Sequence, residues 1–129
     1  HQQPLIITDV AHNEAGLLEV FNQIKSLPYK QLHVVTGFVK DKDVEKALST
    51  FPPDAIYYFT QADIPRALPF KELNEIAGKS GLKGLAYETV NNAMKQAMNN
   101  AGKDDLILVT GSFFILEDVY KLIELKNTF

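Results

Sequence analysis

The chain alternates five times between a strand-like and a helix-like segment, and this alternation constrains its fold more than any other feature. The strand-like segments are short runs of β-branched and other apolar residues, typical of buried strands, at 5–8, 33–37, 55–60, 84–87 and 106–110. Apolar residues follow each run at helical spacing; after the first run they are Leu17, Leu18, Phe21 and Ile24. Alternating elements with short connections predict an α/β fold, in which a mostly parallel sheet has helices on both faces.

Polar residues and glycines mark the ends of the predicted helices. Asn13 and Thr89 each precede an apolar stripe and are favourable N-cap residues. The charged segment 41–43 introduces the second helix, and Pro69 is expected in the first turn of the third, which Gly81 ends. The apolar faces predicted for the second and the last helix are Val44, Ala47, Leu48 and Phe51, and Leu116, Val119, Tyr120 and Ile123.

Length, charge and cysteine content exclude several classes of function. With 129 residues, the chain is long enough for a single domain, spanning 1–129, with a sizeable core. Its net charge of −3 does not favour binding to nucleic acid or anionic membranes, and no apolar run approaches the roughly 20 residues of a membrane span. The absence of cysteine excludes a disulfide scaffold and a thiolate nucleophile. We therefore expect a cytoplasmic protein without nucleic-acid or membrane partners, and its start close to a strand suggests a piece of a longer polypeptide.

Polar residues collect where the predicted strands end. In open α/β sheets, ligands bind beyond the carboxyl ends of the strands. The polar groups that follow the first, second, third and fifth strands are, in that order, 9–13, Gly37 with 41–43, Asp63 with Arg66, and Gly111 with Ser112. The sequence therefore predicts that one edge of the sheet carries the ligand-binding chemistry.

The loop after the first strand has both a functional and a structural interpretation. Asp9 ends a buried strand, and its carboxylate can accept hydrogen bonds from ribose hydroxyls or cap the next helix. His12 is a candidate proton donor, phosphate contact or metal ligand because imidazole titrates near neutral pH, and it also fits a histidine satisfied at a helix start. Asn13 is expected to be the helix cap, and His33, inside the second strand, is expected to be structural.

Three further loops carry groups suited to anions. Arg66 lies between two prolines and can hold a carboxylate or phosphate bidentately, or form an internal ion pair. Gly111 permits a close backbone approach, and Ser112 offers a hydroxyl and free N–H groups at a helix start. That arrangement suits a carboxylate or a phosphate, and an ordinary N-cap has the same pattern. Segment 41–43 is either a phosphate contact or a charged helix start.

Several standard site motifs are missing from the sequence. There is no G-x-x-x-x-G-K-[ST] phosphate loop, no G-x-G-x-x-G dinucleotide fingerprint and no G-x-S-x-G nucleophile elbow. Three isolated histidines without cysteine do not make a zinc site, and we predict no metal ligands in this chain. We therefore expect half of a site here and not a complete catalytic machine.

Four loop motifs, taken together, resemble one family. They are Asp9-Val10-Ala11-His12-Asn13, Gly37-x-x-x-Asp41-Lys42-Asp43, Pro65-Arg66-Ala67-Leu68 and Val109-Thr110-Gly111-Ser112. In this order and spacing they are similar to the C-terminal domain of folylpolyglutamate synthase/dihydrofolate synthase, in the Mur ligase superfamily, over essentially the whole chain. Val10 stands where the family pattern has glycine. The resemblance implies a three-layer, Rossmann-like α/β fold of the Mur ligase C-terminal domain type.

The resemblance also implies a function. The parent enzyme would use ATP and Mg²⁺ to phosphorylate a carboxylate of folate or dihydropteroate, and the amino group of L-glutamate would then attack the acyl phosphate. The phosphate loop and the principal Mg²⁺ ligands would lie in a preceding ATPase domain, absent from this chain. By motif match, Asp9 and His12 would bind nucleotide, with His12 also catalytic, and Ser112 and Gly111 would bind glutamate. Arg66 is a candidate anion contact, and the family suggests a monomer.

Two other interpretations remain open at this point. The chain fits a stand-alone, non-enzymatic α/β nucleotide-binding module, and it fits a domain of another Mur-type ligase that adds an amino acid to a cell-wall precursor. A phosphate loop encoded upstream of His1 favours a ligase, whereas a start codon near His1 favours the module. If the chain is a ligase domain, the isolated fragment is expected to have no ligase activity.

Overall fold

The computed structural model describes residues 4–11, 13–40 and 43–127, and side chains as far as residue 122. Strands and helices alternate along this part of the chain, as predicted. The elements are β1 (Leu5–Asp9), α1 (Glu14–Ile24), β2 (Leu32–Gly37), α2 (Val44–Leu48), β3 (Ile56–Phe59), α3 (Phe70–Lys79), β4 (Gly84–Ala86), α4 (Val90–Asn100), β5 (Leu106–Gly111) and α5 (Phe113–Asn127).

The strands form one parallel sheet in the order β1-β5-β2-β3-β4. The last strand, β5, is therefore inserted between the first two, and all six of its residues are buried. Such a continuous apolar run is what a strand covered on both faces requires. This order brings the carboxyl ends of β1, β5 and β2 side by side.

The helices cover both faces of the sheet, which confirms the three-layer α/β fold. Side chains of α1, α2 and α3 pack with one face of the sheet, where Val34 and Leu108 are fully buried. Side chains of α4 and α5 pack with the other face, where Val35 and Ile107 are fully buried. Burying one such side chain stabilises the fold by about 1.5–3 kcal/mol. Among the described helices, none combines the length and the apolarity needed to cross a membrane.

The predicted caps Asn13 and Thr89 are confirmed. Asn13 Oδ1 accepts a hydrogen bond from Gly16 N at 2.9 Å, and Thr89 Oγ1 accepts one from Asn92 N at 3.1 Å. Asp43 caps α2, whereas Asp41 and Lys42 lie outside the described residues. Pro69 is the N-cap residue of α3 without a side-chain cap of its own, one position before the expected first turn. The predicted end of α3 is confirmed, since Gly81 follows it with a φ of +83°.

Three residues predicted on buried, apolar helix faces depart from that prediction: two are exposed, and one is buried but lies outside its helix. Leu18 is 49% exposed, because it follows the fully buried Leu17 and consecutive helical residues point about 100° apart. Tyr120 is 47% exposed, and its hydroxyl bonds to Thr8 Oγ1 at 2.8 Å. Phe51 is buried but follows the end of the short helix α2, and its ring packs 4.9 Å from the Phe21 ring.

A buried hydrogen-bond network lies near the amino ends of the strands. His33 Nε2 bonds to Asp105 Oδ2 at 2.9 Å, and His33 Nδ1 bonds to the Tyr58 hydroxyl at 2.9 Å. Asn100 Nδ2 and Gly102 N donate to the Tyr58 hydroxyl and to Asp105 Oδ2, respectively. Both ring nitrogens of His33 therefore have a hydrogen-bond partner inside the fold. His33 is buried and held inside the fold, as expected.

Candidate functional site

The carboxyl ends of three neighbouring strands lie in register. Asp9 of β1 pairs with Thr110 of β5, and Thr110 pairs with Thr36 of β2. One position further along, Gly37 of β2 pairs with Gly111 of β5. The sequence predicted an edge but not the order of the strands, and the observed order makes the loops after β1, β5 and β2 immediate neighbours.

Asp9 organises the loop after β1 and does not cap α1. Its half-buried carboxylate accepts a hydrogen bond from Ala11 N at 2.9 Å, an Asx-type turn. The Ala11 carbonyl in turn accepts from Thr110 Oγ1 at 3.0 Å and from Gly111 N at 3.1 Å. The helix cap is Asn13, so the capping alternative for Asp9 is wrong, and the carboxylate is held at the strand end beside β5.

Gly111 makes the close backbone approach that its residue type predicted. Its φ is +118°, a value that favours glycine, and an added Cβ would collide with the Gly37 carbonyl oxygen. The next N–H, that of Ser112, donates to this same carbonyl at 2.8 Å. The expectation of free N–H groups at this turn is therefore wrong for Ser112, because β2 takes up its N–H.

Ser112 is buried at the start of α5, and only 5% of its surface is exposed. Its Oγ accepts a hydrogen bond from Phe114 N at 3.1 Å, so the N-cap interpretation of this serine is confirmed. Accepting that bond leaves the hydroxyl hydrogen available for donation, since a hydroxyl carries one donor and two acceptor positions. A capping role and a contact to a ligand carboxylate are therefore compatible.

A cleft of about 310 Å³ opens beside Ser112. It brings together two of the predicted site residues, Ser112 and Arg66. The remaining residues that line it are apolar: Val10, Phe38, Val39, Phe113 and Phe114. Arg66 is exposed, and its backbone carbonyl accepts a hydrogen bond from Lys40 N at 2.8 Å, which fixes this loop against the end of β2. The cleft thus combines a cation and a hydroxyl with an apolar wall.

The apolar wall was not predicted from the sequence. Phe113 and Val10 are 56% and 55% exposed at this edge, although both are large apolar side chains. The available signal was the Phe113–Phe114 pair directly after Ser112, because only one side of a helix start can face the core. Exposed apolar side chains that lie next to polar residues are a common feature of binding surfaces.

Asp63 lies in a different cleft from Arg66. This second cleft, of about 440 Å³, is lined by Asp63, Glu88 and Asp118 together with the first residues of α4. Burial raises the pKa of Asp118, and the Asp63 carboxylate raises it further, while Lys121 opposes the shift. The structure therefore separates two residues that the sequence had placed after the same strand.

His12, Asp41 and Lys42 lie outside the described residues. Within 4–11, 13–40 and 43–127, no group of three or more histidine, aspartate or glutamate side chains is placed to hold a metal ion.

Comparison with known proteins gives the class of the chain. Residues 1–113 match the family described as Mur ligase, glutamate ligase domain. A dihydrofolate synthase/folylpolyglutamate synthase of Escherichia coli K12 is 28% identical over 98% of this chain and 30% of its own length. A probable bifunctional folylpolyglutamate synthase/dihydropteroate synthase of Haloferax volcanii is 30% identical over 90% of this chain and 14% of its own length.

Solved structures agree with these sequence matches. The structure of E. coli FolC in complex with DHPP and ADP has a TM-score of 0.88 and 28% identity, over 98% of this chain and 30% of that one. A Yersinia pestis bifunctional folylpolyglutamate synthase/dihydrofolate synthase with AMPPNP and a Mn ion has a TM-score of 0.79 and 25% identity, over 96% of this chain and 30% of that one.

The chain belongs to the Mur ligase family of glutamate ligase domains. Its similarity to the C-terminal domain of folylpolyglutamate synthase/dihydrofolate synthase is confirmed. It spans about 30% or less of the length of these relatives.

Proposed function

We propose that this chain is the C-terminal domain of an ATP-dependent folate ligase. The complete enzyme would add L-glutamate to a carboxylate of folate or dihydropteroate through an acyl phosphate, and this domain would contribute to ATP and glutamate binding. The observation that carries the proposal is the convergence of Asp9, Gly111, Ser112 and Arg66 on one edge of a glutamate ligase domain.

The nucleotide half of the proposed site is the loop after β1. The half-buried Asp9 carboxylate, held by Ala11 N, is suited to accept hydrogen bonds from ribose hydroxyls. Hydrogen bonds to a charged acceptor contribute about 1.5–3 kcal/mol, enough to affect nucleotide affinity measurably. His12 follows in the same loop, and its assignment to the phosphates or to the incoming glutamate rests on the motif match. The related FolC structure with ADP supports a nucleotide role for this family.

The glutamate half of the proposed site is the cleft beside β5. The Ser112 hydroxyl can donate to a carboxylate oxygen while its own oxygen still caps α5. Arg66, on the same cleft, is a candidate for a second contact to that carboxylate. Gly111 would contribute by keeping the backbone close to the strands, so that Ser112 is presented at the edge.

A domain that closes over the reaction suits this chemistry. Acyl phosphates hydrolyse in water, so a site that excludes solvent protects the intermediate. The exposed apolar side chains of Phe113 and Val10 beside Ser112 provide surface for such a closure. No group of three or more candidate metal-binding side chains lies among the described residues, and we propose that the metal ligands lie in the ATPase domain of the complete enzyme, together with the phosphate loop.

The proposal is tested with the complete gene product that contains these 129 residues. It is supplied with ATP and Mg²⁺ and titrated with dihydropteroate or with folates, in the presence and absence of L-glutamate. We expect ADP release that requires both the folate-type acceptor and L-glutamate. If neither dihydropteroate nor folates cause ADP release, the folate-ligase assignment is refuted. If a cell-wall precursor causes ADP release instead, the protein is another Mur-type ligase.

A further inference from the structure

Thr36 carries a buried hydroxyl without a hydrogen-bond partner. The residue is fully buried near the end of β2, and its Oγ1 makes no hydrogen bond with a described residue. Burying a hydroxyl without a partner destabilises a protein, and native structures keep only a few such groups. An orphan of this kind is therefore a candidate for a group that acquires its partner in another functional state.

The position of Thr36 connects it to the proposed glutamate site. Thr36 pairs in register with Thr110, one residue before Gly111. A Cβ added to Gly111 would lie 2.9 Å from Thr36 Oγ1, so the hydroxyl lies directly against the turn that carries Ser112. Thr36 itself is fully buried, so it would act on a ligand through its neighbours, among them this turn.

The N–H groups of the turn and the neighbouring hydroxyls of Thr110 and Ser112 already make hydrogen bonds. Gly111 N and Thr110 Oγ1 donate to the Ala11 carbonyl. Ser112 N donates to the Gly37 carbonyl, and Ser112 Oγ accepts from Phe114 N. A small displacement of the turn changes the surroundings of the Thr36 hydroxyl, which makes no hydrogen bond with a described residue.

We propose that Thr36 is a positioning residue for the glutamate-binding turn. Its hydroxyl gains a hydrogen bond to the Gly111–Ser112 turn when the turn closes on a carboxylate of L-glutamate. The inference rests on the proposed function, since it assumes that this turn binds glutamate. Because the hydrogen bond exists in the bound state alone, it strengthens glutamate binding and adds nothing to the stability of the ligand-free protein.

Thr60 provides a matched control. It is also fully buried, and its hydroxyl likewise has no partner among the described residues. Thr60 directly follows β3, and its N–H donates to the Thr36 carbonyl at 2.9 Å, whereas it is the Thr36 hydroxyl that lies against Gly111. Thr60 therefore reproduces the burial of Thr36 on the neighbouring strand end.

The experiment compares Thr36→Val and Thr60→Val in the complete protein. Valine replaces the hydroxyl with a methyl group of similar size, so both variants should unfold at the wild-type temperature or slightly above it. We expect Thr36→Val to raise the KM for L-glutamate about five- to tenfold, with the KM for ATP unchanged. Thr36→Ser, which restores a hydroxyl, should recover most of the loss, and Thr60→Val should leave both constants unchanged.

Three results would overturn the inference. They are an unchanged KM for L-glutamate in Thr36→Val, an equal loss in Thr60→Val, or a clear fall in the unfolding temperature of Thr36→Val, which would show that the hydroxyl is already paired. If the wild-type protein shows no ligase activity, the proposed function is refuted, and the inference is refuted with it. If the wild type is active and Thr36→Val has an unchanged KM for L-glutamate, the inference is refuted but the proposed function is not.

Discussion

The backbone geometry at Gly111 in the candidate site does not allow a side chain. Its φ of +118° and its contact with the Gly37 carbonyl exclude a side chain. We predict that Gly111→Ala destabilises the protein by about 2–4 kcal/mol, because strain and overpacking add. Gly78→Ala is the control: Gly78 lies inside α3 with no atom within 4 Å of an added Cβ, and alanine there should stabilise by about 0.5–1 kcal/mol. Thermal unfolding of both variants checks this, and equal unfolding temperatures would contradict it.

The Asp9 carboxylate accepts a hydrogen bond from Ala11 N and is proposed to bind the ribose of ATP, and two substitutions separate these two roles. Asp9→Ala removes both, and we predict a rise of about tenfold or more in the KM for ATP. Asp9→Asn keeps an oxygen that can accept from Ala11 N but removes the charge, so the loop should survive while ATP binding still weakens. Steady-state kinetics of the complete protein measures both, and wild-type KM values for ATP in both variants would reduce Asp9 to a loop residue.

Residue types predicted some local features of this site and missed others. Gly111 was expected to allow a close approach because glycine alone has no Cβ, and the structure agrees. The N–H of Ser112 was expected to be free, yet it bonds to Gly37, a partner 75 positions away that no local pattern reveals. The glycine's conformation is a local property, whereas the partner of an N–H group depends on strand order.

At the scale of elements, the buried network ties the connection between α4 and β5 to β2 and β3. Burial raises the pKa of Asp105, but hydrogen bonds from Gly102 N and from His33 outweigh it, so the pKa lies below its ordinary value. A carboxyl whose pKa is lower in the folded state stabilises the protein above its unfolded pKa of about 3.9. That contribution is lost as the pH falls through the lower, folded pKa.

We predict that Asp105→Asn destabilises the protein at neutral pH by about 1–3 kcal/mol and weakens the loss of stability below about pH 4. Asp104→Asn is the matched control, since the Asp104 side chain is 52% exposed and its contact with Lys30 is long, at 3.8 Å. Unfolding temperatures measured from pH 7 down to pH 3 compare the variants. The same acid profile for Asp105→Asn and for wild type would contradict the network's role.

Helices and strands were predicted well because their periodic patterns are local. The apolar spacing and the caps at Asn13 and Thr89 predicted the positions of the helices. Of the three misplaced residues, Leu18 and Tyr120 lie at the border of a buried face, and Phe51 lies just beyond the end of α2. The insertion of β5 between β1 and β2 was not predictable from these patterns, since pairing of distant strands leaves no trace in local periodicity. For the same reason, the cleft that Arg66 and Ser112 share could not be predicted from the sequence and is seen only in the fold.

At the scale of the whole molecule, the chain has one polar edge of its sheet, and its sequence contains no phosphate-loop motif. Its polar edge at β1, β5 and β2 carries the groups proposed to bind ATP and L-glutamate. The relatives are at least about three times as long, which leaves room for the remaining half of a ligase site. The central claim is therefore that these residues act in catalysis only together with the rest of a ligase.

That claim is tested most directly by measuring ligase turnover of the 129-residue chain and of the complete protein side by side. Each receives ATP, Mg²⁺, L-glutamate and a folate or dihydropteroate acceptor, and the new amide is quantified. The account predicts amide formation, matched by ADP release, with the complete protein and no turnover with the chain alone. Turnover by the chain alone at the rate of the complete protein, or no amide from the complete protein with either acceptor, would contradict it.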